Sequence, residues 1–124
     1  MKAEIKNIYS LDIDDLSNYS PADPESFCFS LRIIAGPEAE EGEESFDVQV
    51  CTPKWMLENF SKEEVILGRH YLIVMEYNYD RLLEAISSFC SECEGASWEE
   101  VAEKIGRLGY WEYEDYVESE PPTT

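Results

Sequence analysis

The sequence predicts an α+β fold: a largely antiparallel sheet of about five strands, with two main helices and one short helix packed on it. Three observations carry that expectation. Apolar and polar residues alternate at strand spacing through much of the first half of the chain. Apolar stripes at helical spacing, bounded by capping residues, dominate residues 78–108. Most neighbouring strands can pair without a parallel crossover.

A first strand is expected at 2–11, with Ala3, Ile5 and Tyr9 on one face. Residues 12–25 read as a loop, because Asp12, Asp14, Asp15, Pro21, Asp23 and Pro24 all favour turns. The second strand, at 26–34, alternates Phe27, Phe29, Leu31 and Ile33 with Ser30 and Arg32, and Gly36-Pro37 should stop it. An acidic connection, 38–44, holds five carboxylates in seven residues and would join this strand to a third at 45–51, where Phe46, Val48 and Val50 point inward. Thr52-Pro53 has the chemistry of a helix start, a hydroxyl cap followed by proline at the first helical position. The short helix should reach Phe60, with Met56 and Phe60 one turn apart. Residues 70–77 are apolar on both faces, which suggests a central strand covered on each side. Asn78 or Asp80 opens the longest helix, to about Glu94, and Gly95 ends it. Its stripe is Leu82, Leu83, Ile86, Phe89, Cys90 and Cys93. Ser97 and Glu100 form a capping box for the next helix, whose stripe is Trp98, Val101, Ala102, Ile105 and Leu108. After Gly109, residues 110–116 read as a last, aromatic and acidic strand.

A chain of 124 residues fits one domain, expected at 1–118, with 119–124 a frayed tail around Pro121-Pro122. A hydrophobic content of 44% and an aromatic content of 13% are enough for a packed core, unlike those of disordered acidic chains. Nine basic residues against 28 acidic ones leave a net charge of −19, far beyond the magnitude of about 2–8 that keeps a small domain soluble. Such an excess opposes compaction by self-repulsion, so its retention points to a use. Nucleic acid and anionic membrane are excluded as partners, since both need a positive footprint. The charge argues for a basic protein, or for cations, as the partner. The start of the chain lacks the apolar run of a targeting segment, so the protein is expected in the cytoplasm, its four cysteines reduced.

No catalytic constellation stands out, and no enzyme activity, metal or cofactor is expected. Cys90 and Cys93 form a CxxC, but it ends a helix on the apolar stripe, where core packing explains it better than zinc or redox chemistry. His70 is the sole histidine and has no nucleophile or orienting acid nearby in sequence. Around Asp12, Asp14 and Asp15 the calcium-loop pattern is absent. The partner-binding candidates are acidic and aromatic: Tyr110, Glu112, Glu114 and Asp115 in the last strand, Glu40, Glu41 and Glu43 in the connection, and Asp14 and Asp15 in the first loop. Two alternatives stay open for the last strand. Trp111 and Tyr113 pack inward with the acids merely exposed, or aromatic anchors rimmed by carboxylates form a site for a basic partner. Exposed aromatics would permit a homodimer, which the charge opposes unless its interface excludes the acids.

Four segments also resemble the immunity protein 8 family of bacterial polymorphic toxin systems. They are residues 1–6 (MKAEIK), 44–55 (ESFDVQVCTPKW), 68–74 (GRHYLIV) and 109–116 (GYWEYEDY), in the family's order. The Cys-Thr-Pro-Lys-Trp run and the terminal Trp-Glu-aromatic run are the more specific pieces, the latter with Tyr113 where phenylalanine is usual. The resemblance implies a small cytoplasmic antidote, encoded beside a secreted toxin and protecting the producing cell from it. It carries over no toxin-contact residues, because such proteins diverge there. Combined with the acidity, it suggests a nuclease-type toxin whose basic active region the antidote occludes. A carboxylate- and His70-dependent metal-binding hydrolase and a generic acidic adaptor are the alternatives.

Overall fold

The computed structural model describes residues 1–115. Its strands are β1 (Ala3–Ser10), β2 (Cys28–Pro37), β3 (Glu44–Cys51), β4 (Tyr71–Ile73) and β5 (Tyr110–Trp111). Its helices are α1 (Pro53–Asn59), α2 (Tyr79–Ser91) and α3 (Trp98–Ile105), and a 3-10 turn spans Leu16–Asn18. The sheet order is β1-β2-β3-β4, with β5 also paired to β3. All pairs are antiparallel except β3–β4. This is the expected α+β architecture.

Alternation decides which face is covered. Phe27, Phe29, Leu31, Ile33 and Ala35, and Phe46, Val48 and Val50 on β3, lie on one side and are buried. Leu82, Ile86 and Cys90 from α2, and Val101, Ala102 and Ile105 from α3, close over them in one core cluster. Each fully buried aliphatic or aromatic side chain there stabilises the fold by about 1.5–3 kcal/mol. The caps form as expected. The Thr52 hydroxyl accepts from the Trp55 amide (3.2 Å), and Asn78 from the Arg81 amide (3.0 Å). Ser97 accepts from the Glu100 amide, while the Glu100 carboxylate reaches back to the Ala96 amide at 2.7 Å. On the opposite face of the sheet, Tyr71 pairs with Gln49 and carries the edge-on aromatic chain Trp55–Phe60–Tyr71.

Four elements depart from the sequence expectation. In β1 the register shifts between Ile5 and Asn7, so Lys6 is an extra residue and parity inverts beyond it. Ile8 therefore packs on the core, and Tyr9 faces outward beside Arg32. β2 runs on through Gly36-Pro37 instead of stopping there. Gly36 is required because a Cβ would sit 1.9 Å from the Gly42 carbonyl oxygen of the folded-back connection. Residues 70–77 are not a central strand: β4 has three residues, lies at the sheet edge and runs parallel to β3. Leu72 and Val74 face the core, while Ile73 and Met75 are 51% and 73% exposed. The last strand stops at Trp111, and 112–115 turn away with Asp115 in the left-handed region (φ 56°). Residue 116, the end of the expected domain at 118 and the expected tail at 119–124 lie outside the described residues.

Candidate functional site

The β1–β2 register sets the start of β1 beside the acidic connection, since Ala3 pairs with Pro37. The ammonium of Lys6 donates to Glu4 Oε2 (3.0 Å) and to the Glu40 carbonyl (3.1 Å). The hydrogen bond from Lys6, and then the one from the Ala39 amide, hold the Glu4 carboxyl below the ordinary value. Ala39 (φ 61°) and Gly42 (φ 110°) take the left-handed conformations that fold the connection back. Its acids Glu40, Glu41 and Glu43 point into solvent.

The next residue, Glu44, has a different role. Its Oε2 accepts from two indole N–H groups, Trp111 Nε1 at 2.7 Å and Trp98 Nε1 at 3.0 Å. That carboxylate ties the start of β3 to β5 and α3. Trp111 also stacks on Phe46, with ring centroids 6.3 Å apart. Trp111 is therefore buried, whereas Tyr113 and Tyr110 are exposed. Of the two aromatic residues whose inward packing was one alternative for the last segment, Trp111 packs inward and Tyr113 does not. Beyond Trp111 the chain heads toward Glu44, where Glu44, Trp98, Glu99, Trp111 and Tyr113 line an open concavity of about 290 Å³. Glu112 and Asp115 are exposed, while Glu114 is partly buried and ion-paired with Arg69. Tyr110 sits beside Asp47, which Arg32 grips through two bonds of 2.8 and 3.0 Å, and its ring stands edge-on to His70.

The structure thus brings the 40–43 acids and the 110–115 acids toward one end of the sheet. It does not bring Asp14 and Asp15 there. Their loop leaves the opposite end of the eight-residue β1, roughly 20 Å away at strand rise. Asp15 is moreover a cap: it accepts from the Ser17 amide (3.0 Å), the Ser17 hydroxyl (2.6 Å) and Asn18 Nδ2 (2.6 Å). Those hydroxyl and side-chain amide bonds hold its pKa low.

His70 Nε2 lies 2.9 Å from the Gly106 carbonyl, and a left-handed backbone (φ 67°) swings the chain into β4. Cys90 and Cys93 are buried, and burial pushes the Cys90 thiol up to about 11. Both arrangements are packing geometry. Among the described residues, no group of three or more His, Cys, Asp and Glu could hold a metal ion.

One surface was missed in the sequence. Among the described residues, six of the eleven exposed large hydrophobics fall between residues 57 and 75: Leu57, Val65, Ile66, Leu67, Ile73 and Met75. A groove of about 270 Å³ runs between β4 and α2, its apolar wall formed by Leu72, Val74, Met75, Leu82 and Ala85. A second, of about 380 Å³, lies over Met56, Leu57, Phe60 and Ile66. The available signal was Val65-Ile66-Leu67, an apolar triplet outside any regular element.

No helix among the described residues is long and apolar enough to cross a membrane. The sequence model of the Immunity protein 8 family matches residues 3–116, nearly the whole chain, in agreement with the four segments that suggested it. No curated protein and no solved structure matches the chain at a significant level.

Proposed function

The chain belongs to the immunity protein 8 family, and from that premise we propose that it neutralises its cognate toxin by laying an acidic surface over a basic active region, most simply that of a nuclease. The observation that carries this reading is the gathering of exposed carboxylates near one end of the sheet. Glu40, Glu41, Glu43, Glu112 and Asp115 are exposed there, beside the exposed rings of Tyr110 and Tyr113. A surface of this kind mimics phosphate. It raises the rate of encounter with a cationic cleft by about 10–1,000-fold at low salt, while the aromatics supply contact area. Asp14 and Asp15 are not part of that surface, and Glu114 contributes less because Arg69 neutralises it.

Co-expression with the toxin encoded beside it tests the reading. The variant Glu40→Lys/Glu41→Lys/Glu43→Lys/Glu112→Lys/Asp115→Lys should keep its melting temperature to within a few degrees, because none of these side chains holds the core. It should associate with the toxin at least tenfold more slowly at low salt and fail to rescue growth. Unchanged association and full rescue would overturn the acidic mechanism; a wild-type chain that neither binds nor protects would overturn the immunity role.

A further inference from the structure

The two edges of the sheet are finished differently. β1 carries the devices that keep an edge from recruiting another strand: a bulge at Lys6 and the charges of Lys2, Glu4 and Lys6, with Lys2 bridged to Glu94. β4 has no bulge and no charged residue, and only its short length of three residues limits its edge. In this parallel pair the His70 carbonyl accepts from the Gln49 amide (2.9 Å), and the Val74 amide donates to the Cys51 carbonyl (3.0 Å). Bonding to β3 therefore uses the even-numbered residues, and the N–H and C=O groups of Tyr71 and Ile73 lie along the outer edge. Beside that edge are the exposed side chains of Ile73 and Met75 and the apolar groove against α2. An apolar edge strand without charge or bulge, even a short one, is a template for a further strand.

We propose that the free edge of β4 is the anchoring surface for the toxin, which adds an extended segment with its apolar side chains in the β4–α2 groove and its basic side chains on the acidic rim. This rests on the immunity reading and deepens it. The acidic end of the sheet offers steering and the rings of Tyr110 and Tyr113 but, among the described residues, no cluster of exposed aliphatic side chains, and tight interfaces are centred on desolvated apolar pockets. The β4 region offers that centre. Among the residues lining the two grooves, Glu64 and Glu76 balance Lys62 and Arg81. Glu58, Glu63 and Glu84, next to lining residues in the chain, are also exposed and tip the rim acidic, in a molecule of net charge −19. A cationic strand is therefore the complementary occupant. A second copy of the chain would bring another net charge of −19 to the same edge. The chain's own last residues, 117–124, hold Glu118, Glu120, Pro121 and Pro122 and no basic residue, a poor match to an acidic rim and a poor strand.

The test uses the full chain with its toxin domain in three measurements. Amide exchange should slow at Tyr71 and Ile73 on complex formation, a readout that needs no variant. Ile73→Pro removes an outward amide while sparing the β3 bonds, and Ile73→Lys/Met75→Lys adds charges that repel a cationic strand. Each should weaken toxin binding at least tenfold by calorimetric titration, with circular dichroism unchanged. If the wild type binds while both variants bind equally well and the edge amides gain no protection, the edge assignment fails and the immunity role stands. If the wild type does not bind, both fail. A wild-type dimer that Ile73→Lys/Met75→Lys dissociates, or edge amides already protected in the free chain until 116–124 are deleted, would assign the edge to a second copy or to the chain's own end, and overturn the proposal.

Discussion

Glu44 offers the sharpest check on how the acidic end is built. One carboxylate oxygen accepts from both Trp98 and Trp111, so Glu44→Ala removes the acceptor of two indoles at once. Hydrogen bonds to a charged group contribute about 1.5–3 kcal/mol each, and a buried donor left without a partner costs about 1–3 kcal/mol. Trp111 is only 6% exposed, so its N–H is stranded at close to the full cost. Trp98 is less buried and can turn to water. The substitution also relieves the desolvation of the carboxylate, which offsets part of the loss. The net expectation is a destabilisation of about 2–3 kcal/mol, which for a chain of this length lowers the melting temperature by about 6–15 °C. Glu44→Gln keeps a carbonyl oxygen for one indole and should lose only about 1 kcal/mol. Urea titration followed by circular dichroism measures the difference, and tryptophan emission reports the changed indole environment. A Glu44→Ala variant within about 0.5 kcal/mol of wild type would refute the account of Glu44 as the tie between β3, β5 and α3.

Two further outcomes follow from the buried thiols. Burial raises Cys51 to about 12 and Cys90 to about 11, and raises the Tyr77 hydroxyl, which donates to the Leu16 carbonyl, to about 12. The folded state thus holds these protons to higher pH than the unfolded chain does, so their contribution is intact below about pH 9 and is lost as pH rises through 11–12. Urea midpoints under reducing conditions should fall steadily above pH 9, and a flat profile from pH 9 to 11 would contradict the burial of Cys90. Separately, the Thr52 amide donates to the Phe27 carbonyl at 3.1 Å, which makes Cys28–Cys51 the adjacent non-hydrogen-bonded cross-strand pair. Its Cα atoms are expected about 4.5 Å apart, inside the range a disulfide spans. Oxidised glutathione should take the free thiols from four to two, with the mass loss of two hydrogens and a 28–51 cross-link in peptide mapping. Oxidation of Cys28 and Cys51 to separate glutathione adducts, with no 28–51 cross-link, would count against the β2–β3 register.

Features encoded by a few adjacent residues were legible in the sequence. Alternation along 26–34 and 45–51 marks the inward residues of β2 and β3 because side chains on a pleated strand repeat every two residues. Thr52, Asn78 and Ser97 mark helix starts because a cap bonds amides two or three positions on. The net charge of −19 and the family's motifs likewise required only the sequence. The tertiary structure decided what depends on which strand lies beside which. Residues 70–77 are as apolar as a buried strand, but parallel pairing at the end of the sheet leaves one edge open, and composition does not encode an edge. A single extra residue at Lys6 exchanged the faces of Ile8 and Tyr9. The carboxylates look alike in sequence, yet geometry made Glu44 a support for two indoles, Asp15 a cap and Glu114 an ion-pair partner, and left Glu40, Glu41, Glu43, Glu112 and Asp115 facing solvent. The physical reason is range: periodicity and capping act over three or four residues, whereas an acid's role is set by neighbours as far away in the chain as Trp111 is from Glu44.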